Sequence, residues 1–278
     1  MAQTTVPTKA LPSGAQIPQL GFGTWQVPAG DAVEVVTHAF DAGYRHIDTA
    51  AAYGNEAQVG QAFRASGLAR DEVFITTKLW NAHHGKEEGK AAFRASLDKL
   101  ELDFVDLYLI HWPLPSVDRY VETWEALVEL QQDGLARDIG VSNFQPAHLD
   151  RIIEATGVTP AVNQVELHPR LQQPALRRDH EERGILTEAW SPLAQGQVLD
   201  DPTLTELAER HGKTVGQLVL AWHLQVGNVV FPKSVTPARI RENFDVLDVS
   251  LSDEDLQTIA GLDRGERVGP DPDTFDVR

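Results

Sequence analysis

The sequence predicts an α/β protein, a (β/α)8 barrel of the TIM type. Short runs rich in β-branched and aromatic residues alternate with amphipathic helical stretches eight times, with no linker between them. Several of these runs are nearly continuous in apolar residues, as parallel strands covered on both faces are. A third observation weighs against the doubly wound open sheet, the other architecture with this alternation. Such a sheet carries G-x-G-x-x-G in its first βα turn. Here Gly21-Phe22-Gly23 runs on into Thr24, Trp25 and Gln26 without a third glycine, and no Walker lysine motif occurs.

Along the chain, a small hairpin is expected before Leu20, turning at Pro12-Ser13-Gly14. The eight strands are expected at residues 20–23, 45–49, 73–79, 105–111, 137–142, 161–166, 185–190 and 229–232. Asp31 is placed to cap the first helix, with Val33, Val36 and Phe40 as its apolar face and Gly43 at its end. Val121, Trp124 and Val128 form a second such face. Thr214 with Gln217 reads as a capping box before Val215, Leu218, Val219 and Trp222, and Ser252 with Asp255 starts a last helix bearing Leu256 and Ile259. The tail after Gly265 is rich in Pro, Gly and Asp and is expected to be irregular. One domain is expected to span 1–278, with extra helices near its C-terminal end.

Composition narrows the function classes. Of 278 residues, 42% are hydrophobic and 23% charged, which excludes a disordered or fibrous chain. Lys and Arg total 24 against 41 Asp and Glu, a net charge of −17 that repels phosphate backbones, so no nucleic-acid partner is expected. A local basic pocket for one phosphorylated ligand remains compatible with it. The absence of cysteine excludes disulfides, thiolate catalysis and sulfur-ligated zinc, and no metal site is expected. Residues 1–7 are polar and uncharged, and no apolar run approaches the roughly 18 residues that span a bilayer. A cytoplasmic protein without membrane association is the expectation.

In a barrel of this kind, active sites lie at the C-terminal ends of the strands. Asp48 ends the second strand and Tyr53 follows in its loop; Lys78 ends the third and His111 the fourth. Singly, each has an ordinary reading: a helix cap, a loop aromatic, a snorkelling lysine, a core histidine. Together, at corresponding positions of adjacent strands, they favour a catalytic cluster. A buried lysine beside a phenol should lower the tyrosine pKa from about 10. A carboxylate keeps that lysine charged, the phenol donates a proton to a developing alkoxide, and the histidine orients a carbonyl oxygen. This set suits carbonyl reduction by a hydride that a cofactor brings.

The run Gly43-Tyr44-Arg45-His46-Ile47-Asp48-Thr49-Ala50 with Tyr53-Gly54-Asn55-Glu56 resembles the signature of the aldo-keto reductases, as do Ile139-Gly140-Val141-Ser142-Asn143-Phe144 and Phe231-Pro232-Lys233-Ser234. The resemblance covers nearly the whole chain and is nearest to short bacterial members of the 2,5-diketo-D-gluconate reductase type. It implies a (β/α)8 barrel binding NADPH, with NADH weaker, and a tetrad of Asp48, Tyr53, Lys78 and His111 with Tyr53 as general acid. It also implies Ser142, Asn143 and Gln164 as ligands of the nicotinamide carboxamide, Trp190 as the ring that stacks on it, and Ser191, Leu193 and Gln195 beside the pyrophosphate. Lys233, Ser234 and Arg239 match the clamp on the 2′-phosphate, and Glu242 and Asn243 face the adenine; Thr236 stands where relatives often have another arginine. His111, where reductases of steroid C=C bonds carry Glu, favours C=O. A monomer is implied too.

Trp25, Trp80 and Trp112 follow strands one, three and four and, with His111, are the expected substrate contacts; Phe22 is a weaker one. The short loop at 114–118 and brief tail suggest an open pocket for keto-sugars, glyoxals or simple aldehydes. His83 and His84 are expected to be solvated, and His180-Glu181-Glu182 lacks the second histidine of a zinc-protease motif. Two other readings stay open: a non-catalytic use of the barrel, and a glycosidase built on Glu166 and Glu188, the two carboxylates such an enzyme needs.

Overall fold

The computed structural model describes residues 5–278. Strands β1 (Thr8–Ala10) and β2 (Gln16–Pro18) pair antiparallel around the expected turn, where Gly14 adopts a positive φ of 87°. Eight parallel strands follow in chain order. They are β3 (Phe22–Gly23), β4 (His46–Asp48), β5 (Phe74–Leu79), β6 (Val105–Ile110), β7 (Ala136–Ser142), β8 (Val162–Glu166), β9 (Leu186–Trp190) and β10 (Val229–Val230). The sheet closes because Leu20 bridges Val230: Gly21 N donates to Val230 O at 2.9 Å and Val230 N to Gln19 O at 2.8 Å. Gly21 is required at this seam, since a Cβ there would stand 2.7 Å from the Phe231 ring.

The helices are α1 (Ala29–Ala42), α2 (Glu56–Ser66), α3 (Lys86–Leu100), α4 (Tyr120–Gln132), α5 (Pro146–Thr156), α6 (Pro174–Arg183), α7 (Pro202–Arg210), α8 (Val215–Gln225), α9 (Pro237–Phe244) and α10 (Asp253–Ala260). None of the described helices is long and apolar enough to cross a membrane. Both capping boxes form at Thr214 and Ser252. One expectation is corrected, and the choice between pocket and core for Phe22 is decided. Asp31 lies in the first turn of α1, not at its cap: the helix starts after Pro28, whose fixed φ suits helix entry, and the acid meets the positive end of the helix dipole. Phe22 is core, 1% exposed and packed edge-on against Tyr44.

Strand alternation then sorts the interior by height. Phe74, Leu107, Leu109, Val162, Val229 and Phe231 cluster with Leu11 and Ile17 of the hairpin, so β1 and β2 plug the N-terminal end of the barrel with apolar side chains. Two residues further along the same inward rows stand Thr76 then Lys78, His111, Gln164, and Glu188, all buried. The apolar plug below and the polar ring above are consequences of one period-two pattern.

Candidate active site

At the mouth, the Lys78 ammonium is fully buried and donates to Asp48 Oδ1 at 2.6 Å, to Thr49 O at 3.0 Å and to the Tyr53 hydroxyl at 3.4 Å. Gln164 Nε2 donates to the other Asp48 oxygen at 2.9 Å. Tyr53 is presented by a single helical turn, closed by Gly54 at a φ of 70°, that follows β4. Its ring meets His111 edge-on at 5.7 Å, and Trp80 also meets His111 edge-on, at 5.5 Å. The four residues of the expected tetrad therefore stand together.

The electrostatics correct one expectation. Burial raises the Tyr53 pKa by more than Lys78 lowers it, and Asp48 adds to the rise. Tyr53 is accordingly a phenol at neutral pH, a held proton with an ammonium placed to receive the charge left behind. Burial opposes charge on Lys78, but Asp48 and Tyr53 outweigh it and raise its pKa, so the ammonium persists. His111 is held well below its ordinary value by burial and by Lys78, hence neutral, and its Nδ1 has no hydrogen-bond partner among the described residues. An unpaired buried acceptor is cheaper than an unpaired donor, which favours the tautomer with the proton on Nε2.

Four of the expected cofactor residues, Ser142, Asn143, Gln164 and Trp190, are joined by hydrogen bonds. Ser142 Oγ donates to Gln164 O at 2.8 Å; Asn143, at a φ of 67°, donates from Nδ2 to His111 O at 3.0 Å and accepts from Trp190 Nε1 at 2.8 Å. The Trp190 ring is thus tethered at its nitrogen and half-exposed at the mouth. Ser191, Ala194 and Gln195 all carry positive φ, near 50°, in the loop after β9 that also holds Leu193. Lys233 and Arg239 are exposed and in no ion pair with a described residue, beside the N-terminus of α9, whose first turn has no acid. Ser234 Oγ accepts from Thr236 N at 3.0 Å at that same helix start. Glu242 instead accepts from Thr214 Oγ1 at 2.8 Å, joining α9 to α8, with Asn243 buried beside it.

Sequence reasoning missed part of the rim. Phe275 packs on Trp112 with the ring centroids 4.3 Å apart and the planes tilted by 43°, and Asn81 Nδ2 donates to Val277 O at 2.7 Å, so the irregular tail returns across the mouth. Trp25 is 42% exposed at the rim, Trp80 is half-buried, and Trp112 is buried under Phe275. His84 is buried, not solvated, and burial pushes it down to about 4; His83 is exposed. His180 bonds Asn163 and Thr187 in the core. Glu166 and Glu188 are both fully buried; Glu166 is saturated by donors and Glu188 is bound to Gln164, so neither is free for glycosidase chemistry.

Residues 19–264 match the aldo/keto reductase family. The chain belongs to this family. The reductase is similar to an aldo-keto reductase of Mycobacterium sp. (strain KMS), 54% identical over 97% of this chain and 98% of the relative. It is similar also to the methylglyoxal reductase DkgA of Escherichia coli K12, 52% identical over 95% of this chain and 96% of the relative. Among solved structures, an aldo/keto reductase from Brucella melitensis superimposes with a TM-score of 0.90 at 54% identity, covering 93% of this chain and all of that one. A mutant of Gox0644 in complex with NADPH superimposes with a TM-score of 0.94 at 46% identity, covering 98% and 99%. The reductase is therefore an oxidoreductase, and NADP(H) is the cofactor of its family.

Proposed function

We propose that this reductase converts aldehyde and ketone carbonyls to alcohols, with Tyr53 as general acid. The observation that carries the reading is the buried Asp48–Lys78–Tyr53 chain ending at a protonated phenol in the mouth, beside a neutral His111. NADPH, when bound, supplies the hydride. His111 donates from Nε2 to the substrate oxygen and orients it. Tyr53 gives that oxygen its proton as negative charge develops there, and Lys78, fixed by Asp48, stabilises the phenolate that results.

The residues present fit the cofactor. Trp190 offers a tethered flat face for the nicotinamide, and Ser142, Asn143 and Gln164 border it with polar atoms. The loop of Ser191, Leu193 and Gln195 suits the pyrophosphate. Two cations with no carboxylate partner among the described residues, Lys233 and Arg239 with Ser234 at a helix N-terminus, suit the 2′-phosphate in a protein of net charge −17. Asn243 and the stem of Glu242 suit the adenine side. Trp25, Trp80, His111 and Trp112 line the substrate side.

We read residues 1–278 as one barrel domain, cytoplasmic and monomeric. Methylglyoxal, keto-sugars such as 2,5-diketo-D-gluconate, and simple aldehydes are the substrates to test. A panel of these, run separately with NADPH and NADH and followed at the nicotinamide absorbance, should show turnover of several carbonyls with NADPH preferred. No turnover of any carbonyl with either nucleotide would overturn the proposal.

A further inference from the structure

Glu166 ends β8 at the mouth, yet the proposed chemistry makes no use of it. Its carboxylate is fully buried and accepts from Val268 N at 2.6 Å, from Gly269 N at 3.0 Å and from His168 Nε2 at 3.0 Å, with Arg267 3.9 Å away. Two of these donors are backbone amides more than a hundred residues away in sequence. A buried carboxyl group must find hydrogen-bond partners, and here the tail supplies two of them. Gly269 then lies so close to the Trp190 ring that a Cβ on it would stand 2.3 Å from the ring's far edge. The indole is bounded at both ends, by Asn143 at its nitrogen and by Gly269 at its six-membered ring. Beyond Gly269, the tail places Phe275 on Trp112 and Val277 O on Asn81.

We propose that Glu166 is a positioning and specificity-determining residue: its carboxylate pins Val268 and Gly269, and the pinned tail, through Phe275 on Trp112, builds the outer wall of the substrate pocket. The inference rests on the mouth being that pocket. Bulky aromatic carbonyls, which reach the wall of Trp112 and Phe275, depend on the latch. A carbonyl of three carbons stays near Tyr53 and His111 and does not.

Three variants test this: Glu166→Ala; Gly269→Ala, which keeps the Glu166 side chain but puts a Cβ against the Trp190 ring and 3.1 Å from Glu166 Oε2; and a chain ending at Arg267. For Glu166→Ala, amide hydrogen exchange at Val268 and Gly269 should accelerate at least tenfold, and KM for an aromatic aldehyde should rise about tenfold with kcat within about twofold. KM for methylglyoxal should stay near that of the parent. Gly269→Ala, on the half-exposed tail, should shift the same KM ratio even if Glu166→Ala fails to fold. In the shortened chain, adding Glu166→Ala should change nothing further. Unchanged exchange would overturn the latch. Accelerated exchange with an unchanged KM ratio, or an undiminished effect in the shortened chain, would overturn the role in specificity. If the parent turned over no carbonyl, the reductase reading would fall while the exchange measurement still decided the latch.

Discussion

Glu188 lies behind Gln164, accepting from its Nε2 at 2.8 Å while its own Oε1 has no described partner, and burial together with the charge of Asp48 pushes its carboxyl up to about 8. In the unfolded chain the same group titrates near 4.5. Between those values the native state binds one more proton than the unfolded state, so stability falls as pH rises from 4.5 to about 8, by about 1 kcal/mol per pH unit at most. Glu188→Gln removes this titration and keeps an acceptor for Gln164. Thermal melts should show the variant gaining on the parent between pH 5 and pH 8, at about 1 kcal/mol or more; a pH-independent difference would contradict the assignment. His111 makes a complementary prediction. Its depressed pKa keeps it neutral, so kcat/KM should show no histidine ionisation between about pH 5.5 and 8. The tetrad was legible at this scale because strand ends are legible: Asp48, Lys78 and His111 each stand at or near the end of an expected strand. The upward shift of Tyr53 was not, since only packing decides whether burial or an ammonium wins.

Gly60 brings α2 against α3, with a would-be Cβ 2.1 Å from Leu100 O, backbone that cannot turn aside. Gly60→Ala should therefore cost about 1–3 kcal/mol, a Tm lower by several degrees, although alanine favours helices intrinsically. An unchanged or higher Tm would show that the two helices separate freely. Element positions were largely readable: each of the eight expected strands overlaps an observed one, and both capping boxes form where Thr214 and Ser252 place them. What failed was local competition. Asp31 can cap or can occupy a first turn, and Pro28 decided between them by its fixed φ. The two-residue ladders of β3 and β10 are shorter than the runs that encode them, because closure needs only the Leu20–Val230 bridge and its flanking hydrogen bonds.

Across the whole molecule the net charge is −17. Lys233 and Arg239 have no carboxylate partner among the described residues, so Lys233→Ala or Arg239→Ala should raise KM for NADPH about tenfold, leave KM for NADH nearly unchanged, and weaken the salt dependence of NADPH binding. Equal losses for both nucleotides would place the cations elsewhere than on the 2′-phosphate. The contacts that escaped sequence reading are all long-range: Phe275 on Trp112, Val277 on Asn81, and Glu166 on Val268 join the last ten or so residues to strands far earlier, with no periodicity to announce them. The account as a whole stands on Tyr53 as the proton donor. Its most direct test is Tyr53→Phe, measured by steady-state oxidation of NADPH with several carbonyls alongside NADPH binding by tryptophan fluorescence. The account predicts turnover reduced by at least about a hundredfold with the dissociation constant within about threefold of the parent; near-parental turnover with intact binding would contradict it.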